Sequence, residues 1–144
     1  MDMPDAEVET ETEPFVTTSE AITDGVRVRV RARYSQEHSN PRASEWFFLY
    51  TIRISNEGSA TVQLIDRHWI IIDGSGNTEE VRGEGVVGAQ PVLGPGESFE
   101  YTSGCPLPTP FGSMTGTYRM QREDGTEFDA EVGLFELVEP RAIH

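Results

Sequence analysis

The amino-acid sequence predicts an all-β fold, namely an antiparallel β-sandwich of seven to eight strands. In several stretches apolar and polar residues alternate with a period of two, the pattern of a strand that buries one face. Turn sequences rich in Gly and Pro separate these stretches at short intervals. Apolar residues nowhere recur at helical spacing over ten or more positions. Together these observations favour an immunoglobulin-like or fibronectin type III-like sandwich, without the Cys–Trp–Cys pattern of antibody domains.

The first two predicted strands show the alternation most clearly. Residues 25–34 (GVRVRVRARY) direct valines to one face and arginines to the other. Residues 45–56 (EWFFLYTIRISN) form the second predicted strand. Its inner face is expected to carry Trp46, Phe48, Tyr50, Ile52 and Ile54. The dipeptide Glu57-Gly58 then predicts a hairpin-type turn.

The third predicted strand, residues 61–73 (TVQLIDRHWIIID), contains a break in its alternation. Val62 and Trp69 lie on opposite parities although both are apolar. Because one extra residue reverses the facing of every later side chain, we predict a β-bulge at Asp66-Arg67.

The rest of the chain supplies shorter predicted strands. Residues 79–87 and 92–93 come first, and residues 98–103 alternate again. Three closely spaced prolines then impose an extended, non-helical segment. Residues 115–122 and 126–137 are expected to form a final hairpin. The residues predicted to face inward on its second strand are Phe128, Ala130, Val132 and Leu134.

Composition restricts the function classes. A chain of 144 residues fits one domain, and it has no apolar run near the roughly 20 residues that span a membrane. The net charge of −14 disfavours binding to nucleic acid or anionic lipid. All eleven basic residues are Arg, which excludes a P-loop lysine, a Schiff-base lysine and a lysine general base. A single Cys forms no internal disulfide and favours a cytoplasmic location.

The N-terminal region differs from the rest in charge. Residues 1–14 include six carboxylates and no basic residue, unlike a secretory signal. We predict a disordered acidic tail over residues 1–14, followed by a sandwich domain over residues 15–144. An interaction tail, or a mask over a basic patch, is the alternative interpretation.

Residues 83–88 (GEGVVG) match the GxGxxG pattern, which binds dinucleotides where a helix N-terminus follows. Prolines at 91 and 95 prevent a helix from persisting there, so a Rossmann or P-loop site is rejected. Two interpretations stay open. Either the glycines serve tight turns at a sheet corner, or the loop amides form an anion-binding nest. The candidate anion-binding residues are Arg82, Gly83, Gly85 and Gly88.

Four arginines, Arg27, Arg29, Arg31 and Arg33, form a ladder on one predicted sheet face. We expect carboxylates from neighbouring strands to interleave with these charges. The candidate partners are Glu97, Glu100, Glu127, Asp129 and Glu131. The alternative is a docking face for an acidic partner or for the protein's own acidic tail.

His68 and Cys105 are the remaining candidates for chemistry. No converging partners accompany His68 in the sequence, so a structural histidine is preferred over a metal ligand or general base. Cys105 precedes a proline in a predicted turn and is interpreted as a buried small residue rather than a nucleophile. With no triad, zinc pattern or acid–base pair, the sequence predicts no catalytic residue, no metal site and no cofactor.

Four segments taken together resemble a known family. They are residues 66–71 (DRHWII), 81–88 (VRGEGVVG), 94–101 (GPGESFEY) and 103–110 (SGCPLPTP), in this order. In these motifs the chain resembles the bacterial ApaG proteins. The resemblance implies a fibronectin type III-like sandwich, an association with cobalt and magnesium efflux, and a gene neighbourhood shared with a diadenosine tetraphosphate hydrolase. Related domains in eukaryotic F-box and polymerase-interacting proteins imply a protein-binding role, and no catalytic residue is carried over.

We therefore predict a cytoplasmic, non-enzymatic binding module that contacts a protein partner and affects divalent-cation homeostasis indirectly. The alternative function is binding of a small anion, such as pyrophosphate or a dinucleoside polyphosphate, at residues 83–88. Direct binding of Co²⁺ or Mg²⁺ by the plentiful carboxylates is a third hypothesis. Exposed strand edges also predict a homodimer formed edge to edge.

Overall fold

A computed structural model describes residues 15–143, with side chains described up to residue 142. The predicted acidic tail, residues 1–14, lies outside the described residues, so the division into tail and domain stays a prediction. Nine strands follow one another within residues 15–143. They are β1 (Thr17–Thr23), β2 (Val26–Tyr34), β3 (Trp46–Asn56), β4 (Val62–Asp73), β5 (Thr78–Glu84), β6 (Val92–Leu93), β7 (Ser98–Leu107), β8 (Phe111–Arg122) and β9 (Glu127–Val138). Two short 3₁₀ turns, Pro41–Ala43 and Pro140–Ile143, complete the described structure.

The strands form two antiparallel sheets that pack face to face. The first sheet has the order β1-β2-β3-β7, and the second has the order β5-β4-β8-β9, with β6 paired to the start of β4. Each inner face presents alternate residues, as the period-two patterns predicted. The predicted antiparallel sandwich of immunoglobulin or fibronectin type III type is therefore confirmed. Within residues 15–143, no helix is long and apolar enough to cross a membrane.

The core between the sheets is built around Trp69. Its ring makes edge contacts with Tyr118 and Phe135 at centroid distances of 6.0 and 6.1 Å. Tyr50, from the first sheet, lies 5.7 Å away from the same ring. These aromatic contacts join the two sheets through the core.

The bulge in β4 forms as the sequence predicted. Pairing between β4 and β8 shifts register between Leu64 and Asp66, one residue earlier than the predicted position. Val62 and Leu64 before the shift and Trp69 after it are consequently all buried. The extra residue restores the facing that strict alternation would have lost.

A second bulge, in β9, makes one predicted core residue wrong. Register between β8 and β9 shifts between Met114 and Gly116. Beyond this shift Leu134 points outward with 56% of its surface exposed, whereas Phe135 is buried. The prediction assumed strict alternation from residue 128 onward. The bulge inserts one residue before Leu134, so Leu134 faces outward instead of inward.

Two further predictions are corrected by the topology. Glu57-Gly58 does not close a hairpin, because β3 and β4 lie in different sheets and the chain crosses between them there. Cys105 lies within β7 rather than in a turn, since β7 continues to Leu107. An additional strand, β1, was not predicted, because its sequence TTSEAIT has little apolar content.

The two flanks of the sandwich differ. On one flank β1 hydroxyls bond to β9: Thr17 Oγ1 donates to the Glu136 carbonyl and Ser19 Oγ donates to the Gly133 carbonyl at 2.8 Å. The Glu131 amide in turn donates to Thr23 Oγ1 at 3.1 Å. On the opposite flank, β5 and β7 are the outer strands of their sheets. One flank is therefore closed by hydrogen bonds, and the other contains a cleft.

Candidate functional site

The cleft lies between the outer strands β5 and β7 and consists of two adjoining cavities of about 250 and 320 Å³. Both cavities are lined by the same four residues, which are Tyr50, Arg67, Trp69 and Ser103. The first cavity extends toward Glu79 and Pro106, and the second extends toward the loop after β5. A concave surface in which a few polar groups converge above a buried aromatic floor is a candidate binding site.

Arg67 projects into the cleft from β4, just after the bulge. Its Nη1 donates to the carbonyls of Glu84 and Gly85 at 3.0 and 2.8 Å, and so fixes the loop that follows β5. A Cβ atom on Gly83 would lie only 2.9 Å from the guanidinium, so the glycine makes room for it. No carboxylate among residues 15–142 forms an ion pair with Arg67. The positive charge therefore remains available to a ligand in the cleft.

The loop after β5 is a tight turn at the rim of the second cavity. The Val86 and Ala89 backbones exchange hydrogen bonds of 2.9 Å, and Val87 and Gly88 between them have φ values of 43° and 79°. Such left-handed conformations are rare for a β-branched residue. Val87 is also 59% exposed. The turn thus holds an apolar side chain in solvent, in a strained conformation, beside the cleft.

The structure separates the four predicted anion-binding residues. Arg82 lies opposite His68 on the outer face of the second sheet, where its Nη2 is 3.4 Å from Glu80. Gly83 contacts Arg67, and Gly85 and Gly88 belong to the tight turn. The amides of Gly85, Val86 and Ala89 already donate to backbone carbonyls. Arg67, rather than Arg82, is the arginine that faces the cleft, although the proposed anion site itself stays a prediction.

Three tyrosine hydroxyls lie near the inner end of the cleft. Tyr101 and Tyr118 share a hydrogen bond between their hydroxyl groups. Burial raises the pKa of both phenols, and it also raises the pKa of Tyr50, against the opposing effect of a hydrogen bond with Ser103. All three tyrosines therefore stay neutral at physiological pH, and they offer hydrogen bonds rather than charge.

Cys105 and His68 take the structural roles that the sequence favoured. Cys105 is 3% exposed, and burial raises the pKa of its thiol to about 12, so the nucleophilic thiolate is scarce. His68 Nε2 lies 2.8 Å from a Glu80 carboxylate oxygen, and this contact lowers the pKa of Glu80. Within residues 15–142, no three His, Cys, Asp or Glu side chains are grouped to hold a metal ion.

The arginine ladder lies on the outer face of the first sheet, as predicted, but none of its five predicted carboxylate partners pairs with a ladder arginine. Arg27 contacts Glu20 and Glu57, and Arg29 lies 3.6 Å from Glu20. Of the candidate carboxylates only Glu100 lies in this sheet with an arginine partner, and that partner is Arg53 at 3.6 Å. The correct partner Glu20 was missed because it lies in β1, the strand that the sequence did not reveal.

More than half of the sequence matches a family model. The model described as the ApaG domain covers residues 36–122. The chain belongs to the ApaG family.

Individual relatives extend this match over most of the chain. A protein described as ApaG from Methylobacterium sp. (strain 4-46) is 57% identical over 120 residues, which are 83% of this chain and 92% of that protein. An ApaG protein from Anaeromyxobacter dehalogenans (strain 2CP-C) is 52% identical over 126 residues, covering 88% and 99% of the two chains. The resemblance stated from the four sequence segments is therefore confirmed.

Solved structures of similar proteins have the same sandwich. A crystal structure of a Bordetella pertussis protein described as ApaA superposes with a TM-score of 0.78 at 53% identity, covering 81% of this chain and 94% of that one. An X-ray structure of a second structural-genomics target gives a TM-score of 0.79 at 44% identity, covering 86% and 94% of the two chains. The fold of this ApaG-family chain is thus shared with proteins solved experimentally.

Proposed function

We propose that this ApaG-family protein is a non-enzymatic, cytoplasmic binding module whose cleft between β5 and β7 holds a segment of a partner protein. The observation that carries the proposal is Val87, an exposed aliphatic side chain in a strained backbone conformation at the rim of the cleft. Strained residues persist where the surroundings enforce them, and they concentrate at binding sites. Exposed apolar groups beside concave surfaces are typical of protein contacts.

The contacts available in the cleft define the partner segment. Trp69 and Tyr50 form the floor of the cleft but are only 3% and 6% exposed, so the apolar surface offered to a ligand comes mainly from Val87 at the rim. Arg67 and the Ser103 hydroxyl supply donors for a backbone carbonyl or a carboxylate. The outer strands β5 and β7 add unpaired backbone edges beside the same cleft. An extended peptide with one large apolar residue and an adjacent acceptor fits this surface.

The proposed link to cobalt and magnesium homeostasis acts through this partner. The cleft places the positive charge of Arg67 beside Glu79 and Glu84, and that charge disfavours a divalent cation even where oxygen ligands are near. Contact with a transporter or regulator would then alter efflux without any ion bound to the sandwich. Edge-to-edge pairing with a second copy is the competing use of the same strands.

Exposed valines at two sites allow a matched test. Val87 and Val92 are each 59% exposed, but only Val87 lines the cleft with Arg67 and Trp69. In a pull-down from cells that carry the native partner, Val87→Ser should reduce recovery of a specific protein about tenfold. Val92→Ser, which removes an equally exposed valine outside the cleft, should leave recovery of that protein unchanged. Equal recovery by both variants, or loss with both while melting temperatures are preserved, would contradict the proposal.

A small anion is the second candidate ligand, and the half-buried Arg67, which has no carboxylate partner among residues 15–142, favours it. The candidate site comprises Arg82 with the glycines of residues 83–88. An amide-resolved NMR titration with pyrophosphate and with diadenosine tetraphosphate should then give saturable shifts confined to residues 82–88. If Arg82 binds the anion, Arg82→Ser weakens these shifts. If only Arg67→Ser weakens the shifts, the anion lies in the cleft. The absence of any saturable shift would contradict anion binding.

A further inference from the structure

The outer face of the first sheet is divided into two halves of different charge balance. One half carries Arg27, Arg29 and Arg53 together with their carboxylate partners Glu20, Glu57 and Glu100. The pairing follows from the register, which places Glu20 opposite Arg29 and Arg53 opposite Glu100. In this half the charges are therefore balanced within the sheet.

The other half carries Arg31 and Arg33, which have no such partners in the described part of the chain. Arg31 has Thr18 opposite on β1 and Thr51 opposite on β3, and Arg33 has Leu49 opposite on β3. No carboxylate among residues 15–142 forms an ion pair with either arginine. Within residues 15–142, Arg29 is therefore the last arginine of the ladder with a carboxylate partner, Glu20, and Arg31 and Arg33 follow it.

A groove of about 160 Å³ lies between these two arginines, and we call it the arginine groove. Its floor contains Leu49 and the hydroxyls of Thr51 and Thr102, which lie 2.8 Å apart. Val16, the residue before β1, forms one end. The groove therefore combines two positive charges, two hydroxyls and a small apolar surface, which suits an acidic peptide with short side chains between its carboxylates.

We propose that the arginine groove binds the acidic N-terminal segment of this same chain, residues 5–13. This segment places carboxylates at every second position, as Asp5, Glu7, Glu9, Glu11 and Glu13. The arginines of β2 also recur at every second position, so the two charge spacings match. Glu13 precedes Val16 by three residues, a span of at most about 10 Å.

Tethering favours this occupant over a partner of the same chemistry. The whole chain carries a net charge of −14, which repels an acidic protein approaching from solution. A segment of the same chain is already held at high effective concentration beside the groove. Because the arginines are exposed, each ion pair is weak and screened by salt, so the contact is reversible. A basic partner that captures residues 5–13 would uncover the groove.

Cleavage by a glutamate-specific protease tests the proposal on the full chain, since the segment contains four glutamates. Replacing both groove arginines, Arg31→Ser and Arg33→Ser, should speed cleavage after Glu9 and Glu11 about fivefold at low salt. The control Arg119→Ser removes a charge from the outer face of the other sheet and should leave the rate unchanged. At high salt the three proteins should be cleaved equally fast.

A second measurement keeps the proposal testable if the arginine variant is unstable. Glu9→Gln, Glu11→Gln and Glu13→Gln together should shift the NMR amide signals of Leu49, Thr51 and Thr102 in the otherwise native chain. Glu84→Gln serves as the control on the other sheet. Unchanged groove signals, or unchanged cleavage in the arginine variant, would overturn the proposal. Shifts that vanish on dilution would also overturn it, because they would assign the groove to a second copy.

Discussion

Gly85 and Gly88 belong to the same GxGxxG pattern, but the structure gives them different requirements. A Cβ atom on Gly85 would lie 2.3 Å from the Ala89 carbonyl oxygen, and the residue has φ of 63°. A Cβ atom on Gly88 would meet nothing within 4 Å, although φ is 79°. The first glycine is needed for a close backbone approach as well as for its conformation, whereas the second is needed only for its conformation.

We expect Gly85→Ala to lower the free energy of unfolding by about 2–4 kcal/mol, because the turn must open to admit the methyl group. Gly88→Ala should cost about 1 kcal/mol, the usual penalty of a left-handed alanine. Urea denaturation of the two variants checks both values. If their midpoints fell equally, close packing at Gly85 would not be the cause.

At the scale of single strands, the two bulges decide which side chains reach the core. The break in β4 was readable from the sequence because strongly apolar residues flank it on opposite parities. The break in β9 was not, since Leu134 and Phe135 are adjacent, both are apolar, and either could continue the pattern. Only the register with β8 selects Phe135 for the core.

This choice predicts opposite sensitivities for two adjacent residues. Phe135→Ala should lower the free energy of unfolding by about 3–5 kcal/mol, because it empties a site in contact with Trp69 and Tyr50. Leu134→Ser should change the free energy of unfolding by about 0.5 kcal/mol or less. Thermal or urea unfolding separates the two outcomes, and a large loss with Leu134→Ser would show that the bulge is misplaced.

For the whole molecule, the tyrosine cluster predicts loss of stability in alkaline solution. Burial raises the pKa of Tyr50, Tyr101 and Tyr118 above the value of the unfolded chain. Their contribution is therefore complete below about pH 10 and is lost as the pH rises toward the folded-state pKa, by about 1.4 kcal/mol per pH unit for each group. Burial also raises the pKa of the Cys105 thiol to about 12, so this group likewise lowers the free energy of unfolding as the pH rises.

Urea midpoints measured from about pH 8 to about pH 11 should fall with a steepening slope, and Tyr101→Phe should make that slope shallower by the contribution of one group. The matched comparison is Tyr34→Phe, at a half-buried tyrosine outside this cluster. A slope that is identical in the native chain and in Tyr101→Phe would contradict the assignment.

The sandwich and most of its strands were predictable because alternation reports burial directly. The order of the strands in the sheets was not, since the turn at Glu57-Gly58 resembles a hairpin although the chain changes sheet there. The cleft was only partly predictable. The sequence singled out the glycines of residues 83–88, but which arginine faces them depends on the register between β4 and β5. That register places Arg67 opposite Gly83 and turns Arg82 outward.

The hydroxyl bonds between β1 and β9 have a consequence for self-association. They occupy backbone groups of β9 at three positions, so this flank offers few free partners to another chain. In the described sandwich each sheet thus has one accessible edge, β7 in the first and β5 in the second. Two molecules that pair through such an edge use up the surface needed to add a third to that sheet. Pairing through β7 alone, or through β5 alone, would consequently stop at dimers, and growth into amyloid-like fibrils would require alternate use of both edges.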